Sequence, residues 1–142
     1  VTSPDFYPTL LEAAGLAPMP DQHVDGVSLM PLLRDTGRLE ERPIFWHFPH
    51  YGNQGGTPGC SVRMGDWKLI EFFEDGRREL YNLREDVSES NNVANAHPDL
   101  VADLADRLAR WREDVEARIP QPNPDWSETS PVSDPSGPAS SP

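Results

Sequence analysis

Between Leu100 and Val115 the apolar residues fall at Leu100, Leu104, Leu108, Trp111 and Val115, with spacings of 4, 4, 3 and 4. That period draws one continuous apolar stripe along a helix, and such a stripe has to be covered by another element. The pattern predicts a helix from Pro98 to about Ala117, with Pro98 at its first position and Asp99 complementing the helix dipole. The cover stands upstream, in a stretch with strand chemistry. Ile44–Phe48 is aromatic and β-branched, and Ser61–Met64 runs through Gly65-Asp66 into Trp67–Phe73. Asp75-Gly76 then turns the chain into a return strand, Arg78–Asn82. These segments make a small antiparallel sheet of about three or four strands. One sheet face and one amphipathic helix form a two-layer α+β unit.

Two further stretches flank this unit. Residues 4–15 read as a short helix with prolines in its first turn and Gly15 at its end. Phe6, Leu10 and Ala14 share a stripe there, with Leu11 beside it, so this helix is expected to pack by that face. Pro18, Pro20 and Asp25-Gly26 mark a loop, after which Ser28 caps a turn holding Leu29, Leu32 and Leu33. At the other end, residues 120–142 hold seven of the 16 prolines and almost no aliphatic side chains. A segment of that composition cannot offset its ordering entropy, so disorder is expected beyond about Trp126. The organisation read from these shifts is 1–40, then 41–119, then a Pro/Ser-rich tail at 120–142.

A net charge of −12 argues against a nucleic-acid partner, because phosphate contacts need clustered Lys and Arg. No apolar run approaches the ~18 residues of a membrane span. No signal peptide is visible, and the single cysteine, Cys60, has no internal partner for a disulfide. The densest polar-aromatic cluster is Trp46-His47-Phe48-Pro49-His50-Tyr51. Pro49 ends the strand and throws His50 into the loop, and two imidazoles at a strand end, followed by a glycine-rich loop, can bond an anion or a sugar hydroxyl. The plainer reading is an edge-strand His47 satisfied by backbone and a His50 in water. Arg63 and Lys68 are strand cations near that loop, and strand cations more often form a solvated face than a ligand site. The carboxylates Glu71, Glu74, Asp75 and Glu79 surround a hairpin turn, where solubility is their expected role. The histidines have no Asp, Glu or Cys at metal-ligand spacing, so no metal is expected on this chain.

Taken in order, several segments resemble the end of a type I sulfatase of the alkaline-phosphatase-like superfamily. They are D-x-Y-P-T-L-L with its closing glycine at Asp5–Gly15, and D-G-V-S-L-x-P-L-L at Asp25–Leu33. Arg42–Tyr51, Val62–Ile70, Glu79–Leu83, Asp86, Glu89 and Asn91-Asn92 follow. His97–Leu100 and Pro122-Asn123-Pro124 complete a series that spans roughly residues 2–126. The resemblance implies that residues 1–40 carry the last helix of a truncated alkaline-phosphatase-like α/β domain. Residues 41–119 would then be the smaller C-terminal subdomain, whose loops help close the substrate pocket.

The same resemblance implies a sulfuric ester hydrolase acting on a sulfated sugar or an aryl sulfate. Its catalytic centre would use calcium and a formylglycine made from the cysteine of a C-x-[P/A]-x-R motif. Those residues belong to an N-terminal domain with no counterpart here, so this chain alone is expected to be inactive and to bind neither cofactor. Cys60-Ser61-Val62-Arg63-Met64 fails the motif at Val62 and Met64, which leaves no catalytic residue on the chain. His47, His50, Tyr51 and Arg63 become the candidate substrate-binding residues, and a periplasmic or secreted location is implied. Two other readings stay open. One is a non-catalytic module binding sulfated or anionic glycans; the other is part of a related phosphodiesterase or phosphonate hydrolase.

Overall fold

A computed structural model of the chain describes residues 1–52 and 55–124, so the tail expected to be disordered beyond Trp126 lies outside the described residues. The chain divides into two compact units. The first is Val1–Ile44 with Arg63–Asp66, and the second is Phe45–Val62 with Trp67–Pro142, described as far as Pro124.

In the first unit a 3-10 turn, Ser3–Asp5, leads into helix α1, Phe6–Ala13, and a second short helix, α2, spans Met30–Leu33. The organising group is Asp5, whose side chain is fully buried. Its carboxylate accepts hydrogen bonds from the Thr2 and Val27 N–H groups and an ion pair from Arg42. Burial alone would raise this carboxyl, but the Val27 and Thr2 donors and the Arg42 charge outweigh it and hold it below the usual range. Thr9 extends the same seam, donating to the Asp5 carbonyl and accepting from the Leu29 N–H. Gly26 lies where a Cβ would stand 2.2 Å from the Pro4 carbonyl oxygen, so only glycine lets the loop come this close.

Within this unit α1 packs by a face other than the Phe6–Leu10 stripe. Phe6 and Leu10 are 57% and 65% exposed, while Pro8 and Thr9 are buried. The loop beside α1 has orphan backbone N–H groups to satisfy, so it docks on the polar Asp5–Thr9 side.

Most of the sheet belongs to the second unit. Strands β1, Ile44–Phe48, β2, Gly59–Met64, β3, Trp67–Phe72, and β4, Arg78–Asn82, lie side by side in that order in an antiparallel sheet. β2 and β3 are joined through Gly65, whose φ of +59° suits the first position of a two-residue hairpin loop. The β3–β4 register pairs Leu69 with Leu80 and Glu71 with Arg78, which puts all four on one face. Helix α3, Pro98–Asp114, covers that face, and Leu69, Leu80, Leu104 and Leu108 are each at most 1% exposed. Burying each such side chain contributes about 1.5–3 kcal/mol. Phe45 stacks on Trp111 with ring centroids 4.8 Å apart. Val115 falls just past the helix and is 49% exposed, so the apolar stripe ends one step earlier than its spacing predicts.

The same layer contains a buried charge cluster. Glu71 accepts from Arg112 of α3 on one oxygen and from Arg78 at 2.8 Å on the other. Burial pushes the Glu71 carboxyl up, but the two guanidinium groups win and hold it below its usual value. Arg112 also donates to the Cys60 sulfur at 3.3 Å. Cys60 lies within β2 and is 3% exposed. Burial raises its thiol pKa despite the nearby Arg112 charge, which keeps it a packed, protonated side chain.

Candidate functional site

The second unit has an open cleft of about 780 Å³, lined by Tyr51, Pro58, Phe73, Glu74 and residues 120–123. Three segments build it. The loop after β1 carries Tyr51 and, at its far end, the buried Pro58, whose carbonyl accepts the Phe73 N–H at 2.9 Å. That bond ties the loop to the β3–β4 hairpin, which supplies Phe73 and Glu74. The third wall is the extended stretch after α3, with Pro120 and Pro122 alternating with Gln121 and Asn123.

One hydrogen bond closes the polar side. The Tyr51 hydroxyl donates to Glu74 Oε1 at 2.5 Å, although Tyr51 is otherwise 70% exposed. This bond to a carboxylate raises the phenol pKa, since ionising the tyrosine would set two anions against each other. Among the described residues the cleft lining includes no Lys or Arg. Arg77, on the same hairpin, is held by Asp75 and Glu79 and lies over the Phe72 ring, 3.6 Å from its centroid.

The four sequence candidates end in different situations. His47 faces the α3 side of β1, tilted against Phe73 with centroids 5.4 Å apart. Its Nε2–H donates to the Arg118 carbonyl at 2.8 Å, and its Nδ1 is buried with no hydrogen-bond partner among the described residues. His47 thus ties down the stretch that runs on into the Pro120–Asn123 wall. Tyr51 lines the cleft itself. His50 is exposed and sits edge-on to Phe48 at 5.6 Å, outside the lining. Arg63 belongs to the first unit and donates from Nε to the Gly65 carbonyl at 3.1 Å. Lys68, the other strand cation, is paired with Glu89.

Sequence reasoning missed Glu74, Phe73 and the Pro120–Asn123 wall. Glu74 was assigned to solubility, and the prolines were counted as part of a tail. The available signal was the alternation of proline with amide side chains at 120–123, which suits an extended wall. The calcium and formylglycine that the resemblance implies find no fit here. Among the described residues no three His, Cys, Asp or Glu side chains gather as a metal site, and Cys60 is buried. No chemical step is therefore routed through either group on this chain.

The family model for the C-terminal region of N-sulphoglucosamine sulphohydrolase matches residues 1–114. The chain belongs to this sulfatase C-terminal family. A sulfatase of Formosa agariphila is 36% identical over 121 residues, covering 75% of this chain and 22% of that protein. Human arylsulfatase K is 33% identical over 114 residues, covering 73% of this chain and 20% of that one. The solved structure of BT4656 in complex with its substrate D-glucosamine-2-N,6-O-disulfate superposes with a TM-score of 0.64 at 26% identity, over 79% of this sulfatase chain and 24% of that one. BT1596, a 2-O glycosaminoglycan sulfatase, gives a TM-score of 0.63 at 26% identity, over 80% and 25%. The phosphonate monoester hydrolase of Silicibacter pomeroyi, at 23% identity and a TM-score of 0.54 over 78% and 24%, shares the fold alone. The sulfatase chain thus spans about a fifth to a quarter of the length of these relatives.

Proposed function

We propose that this chain is the C-terminal part of an enzyme that hydrolyses sulfate esters of sugars, contributing wall to the substrate cleft and none of the reacting groups. The observation that carries the reading is a sulfatase-family segment whose second unit has an open, hydrogen-bonding cleft and whose one thiol is buried. The sugar class is supported by the sulfated glucosamine named for BT4656 and the glycosaminoglycan named for BT1596. An acidic cleft edge argues against a module built to grip anionic glycans.

In this reading residues 1–40 are the end of the large α/β domain, and the exposed Phe6–Leu10 stripe packs against its remainder. Residues 41–119 form the C-terminal subdomain. Within the second unit Tyr51 touches substrate, and His47 holds the wall in place. Calcium and formylglycine belong to the N-terminal domain, and we extend a periplasmic or secreted location to the whole enzyme.

The test uses both lengths of the protein. The 142-residue chain with added calcium should show no turnover of an aryl sulfate or a sulfated glucosamine. A parent-length enzyme should hydrolyse sulfated sugars, and Tyr51→Ala in it should raise KM several-fold at nearly constant kcat. Turnover by the isolated chain, or a parent-length enzyme inert to every sulfate ester, would sink the proposal.

A further inference from the structure

The lining of the cleft is selective in a way the proposed function does not require. Its apolar walls are the Phe73 ring and the faces of Pro120 and Pro122, flat surfaces against which the C–H face of a sugar ring can lie, with the buried Pro58 behind them. Its polar groups are the Glu74 carboxylate, the Tyr51 hydroxyl and the side-chain amides of Gln121 and Asn123. These are the groups that bond vicinal hydroxyls, with the carboxylate as acceptor and the amides serving either way. A volume of about 780 Å³ accommodates a sugar unit with room for its linkage.

Charge then separates one kind of sugar from another. A sulfate group needs cations or several N–H donors, and among the described residues the lining holds no Lys or Arg. The Tyr51 hydroxyl already donates to Glu74, and an anion beside that carboxylate would meet a like charge.

Building on the proposed function, we infer that this cleft is a subsite for an unsulfated, hydroxyl-bearing sugar residue, the neighbour in an oligosaccharide of the residue whose sulfate ester is cleaved. Glu74 and Tyr51 act as a coupled pair that accepts its hydroxyls and rejects sulfate. His47 is a positioning residue that keeps the Pro120–Asn123 wall in place through the Arg118 carbonyl.

The test is an NMR titration of the full 142-residue chain, which requires no turnover. The probes are three uncharged disaccharides (N,N′-diacetylchitobiose, cellobiose and lactose) and the 6-O-sulfated form of each. At least one uncharged probe should shift the amides of Tyr51, Phe73, Glu74, Gln121 and Asn123, with its sulfated form binding about tenfold more weakly or worse. Glu74 is exposed, so Glu74→Gln should keep the spectrum elsewhere and cut that discrimination severalfold. Absence of shifts with all three uncharged probes overturns the subsite, as does a sulfated form that binds as well as its parent. A parent-length enzyme without sulfatase activity would instead overturn the proposed function and leave the binding result standing.

Discussion

Replacing Arg112 by Met tests the charge cluster beneath α3 and should reveal itself through pH. The Glu71 and Arg112 side chains are only 11% and 16% exposed, so the pair is shielded from water. Breaking a buried pair by removing one partner costs about 3–5 kcal/mol. Here Arg78 still holds the second Glu71 oxygen, and the methionine keeps most of the apolar stem, which brings the expected loss to about 2–3 kcal/mol at neutral pH. Glu71 has a folded pKa depressed below its usual 4.5, so its stabilising contribution is present above that value and is lost as pH falls through the folded pKa. In Arg112→Met much of that depression is gone, and the carboxyl can protonate sooner and shed its uncompensated charge. The deficit between variant and wild type should therefore be largest above about pH 5 and shrink to about 1 kcal/mol near pH 3. Urea unfolding followed by tryptophan fluorescence at both pH values measures it, and Glu71→Gln completes a double-mutant cycle. A deficit that does not change with pH, or one below about 0.5 kcal/mol at neutral pH, would refute the reasoning.

Leu108→Ala removes a fully buried side chain facing Leu69 and Leu80, so urea unfolding should show a loss of about 2–5 kcal/mol; a value typical of an exposed site would undo the two-layer packing. Gly26→Ala should lower the melting temperature of the first unit by several degrees, because its Cβ would collide with the backbone of Pro4, and an unchanged Tm would contradict that close approach. His47→Ala should cost about 1 kcal/mol for the lost bond to Arg118, with faster amide exchange over 118–123. If exchange there stays as slow as in the wild type, His47 does not hold that wall.

What could be read directly from the chain was whatever depends on near neighbours. The strand 44–48 is found at the residues its β-branched and aromatic content predicted, 78–82 is the return strand expected after Asp75-Gly76, and Gly65-Asp66 likewise turns the chain between strands. The helix from Pro98 carries its buried Leu104 and Leu108 where the period put them, since a repeat of three and four residues reports a face regardless of partner. Its end was misread because Val115 keeps the spacing while the backbone has already left the helix. The ordered series of short segments from Asp5 to Pro124 was enough to point to the sulfatase family.

Tertiary structure decided what depends on partners distant in sequence. Nothing near Asp5 announces that Val27 and Arg42 will meet its carboxylate, and nothing near Glu71 announces Arg112. The face of α1 turned toward Asp5 and Thr9 because loop N–H groups needed acceptors, a demand that an apolar stripe cannot register. The cleft is the extreme case. Tyr51, Glu74 and Gln121 come from three segments, each unremarkable alone, and a loop tyrosine, a hairpin glutamate and a glutamine between prolines line one cleft only when the fold brings them together. Local period is written along the chain, whereas convergence of polar groups is a property of the packed sheet, hairpin and C-terminal stretch together.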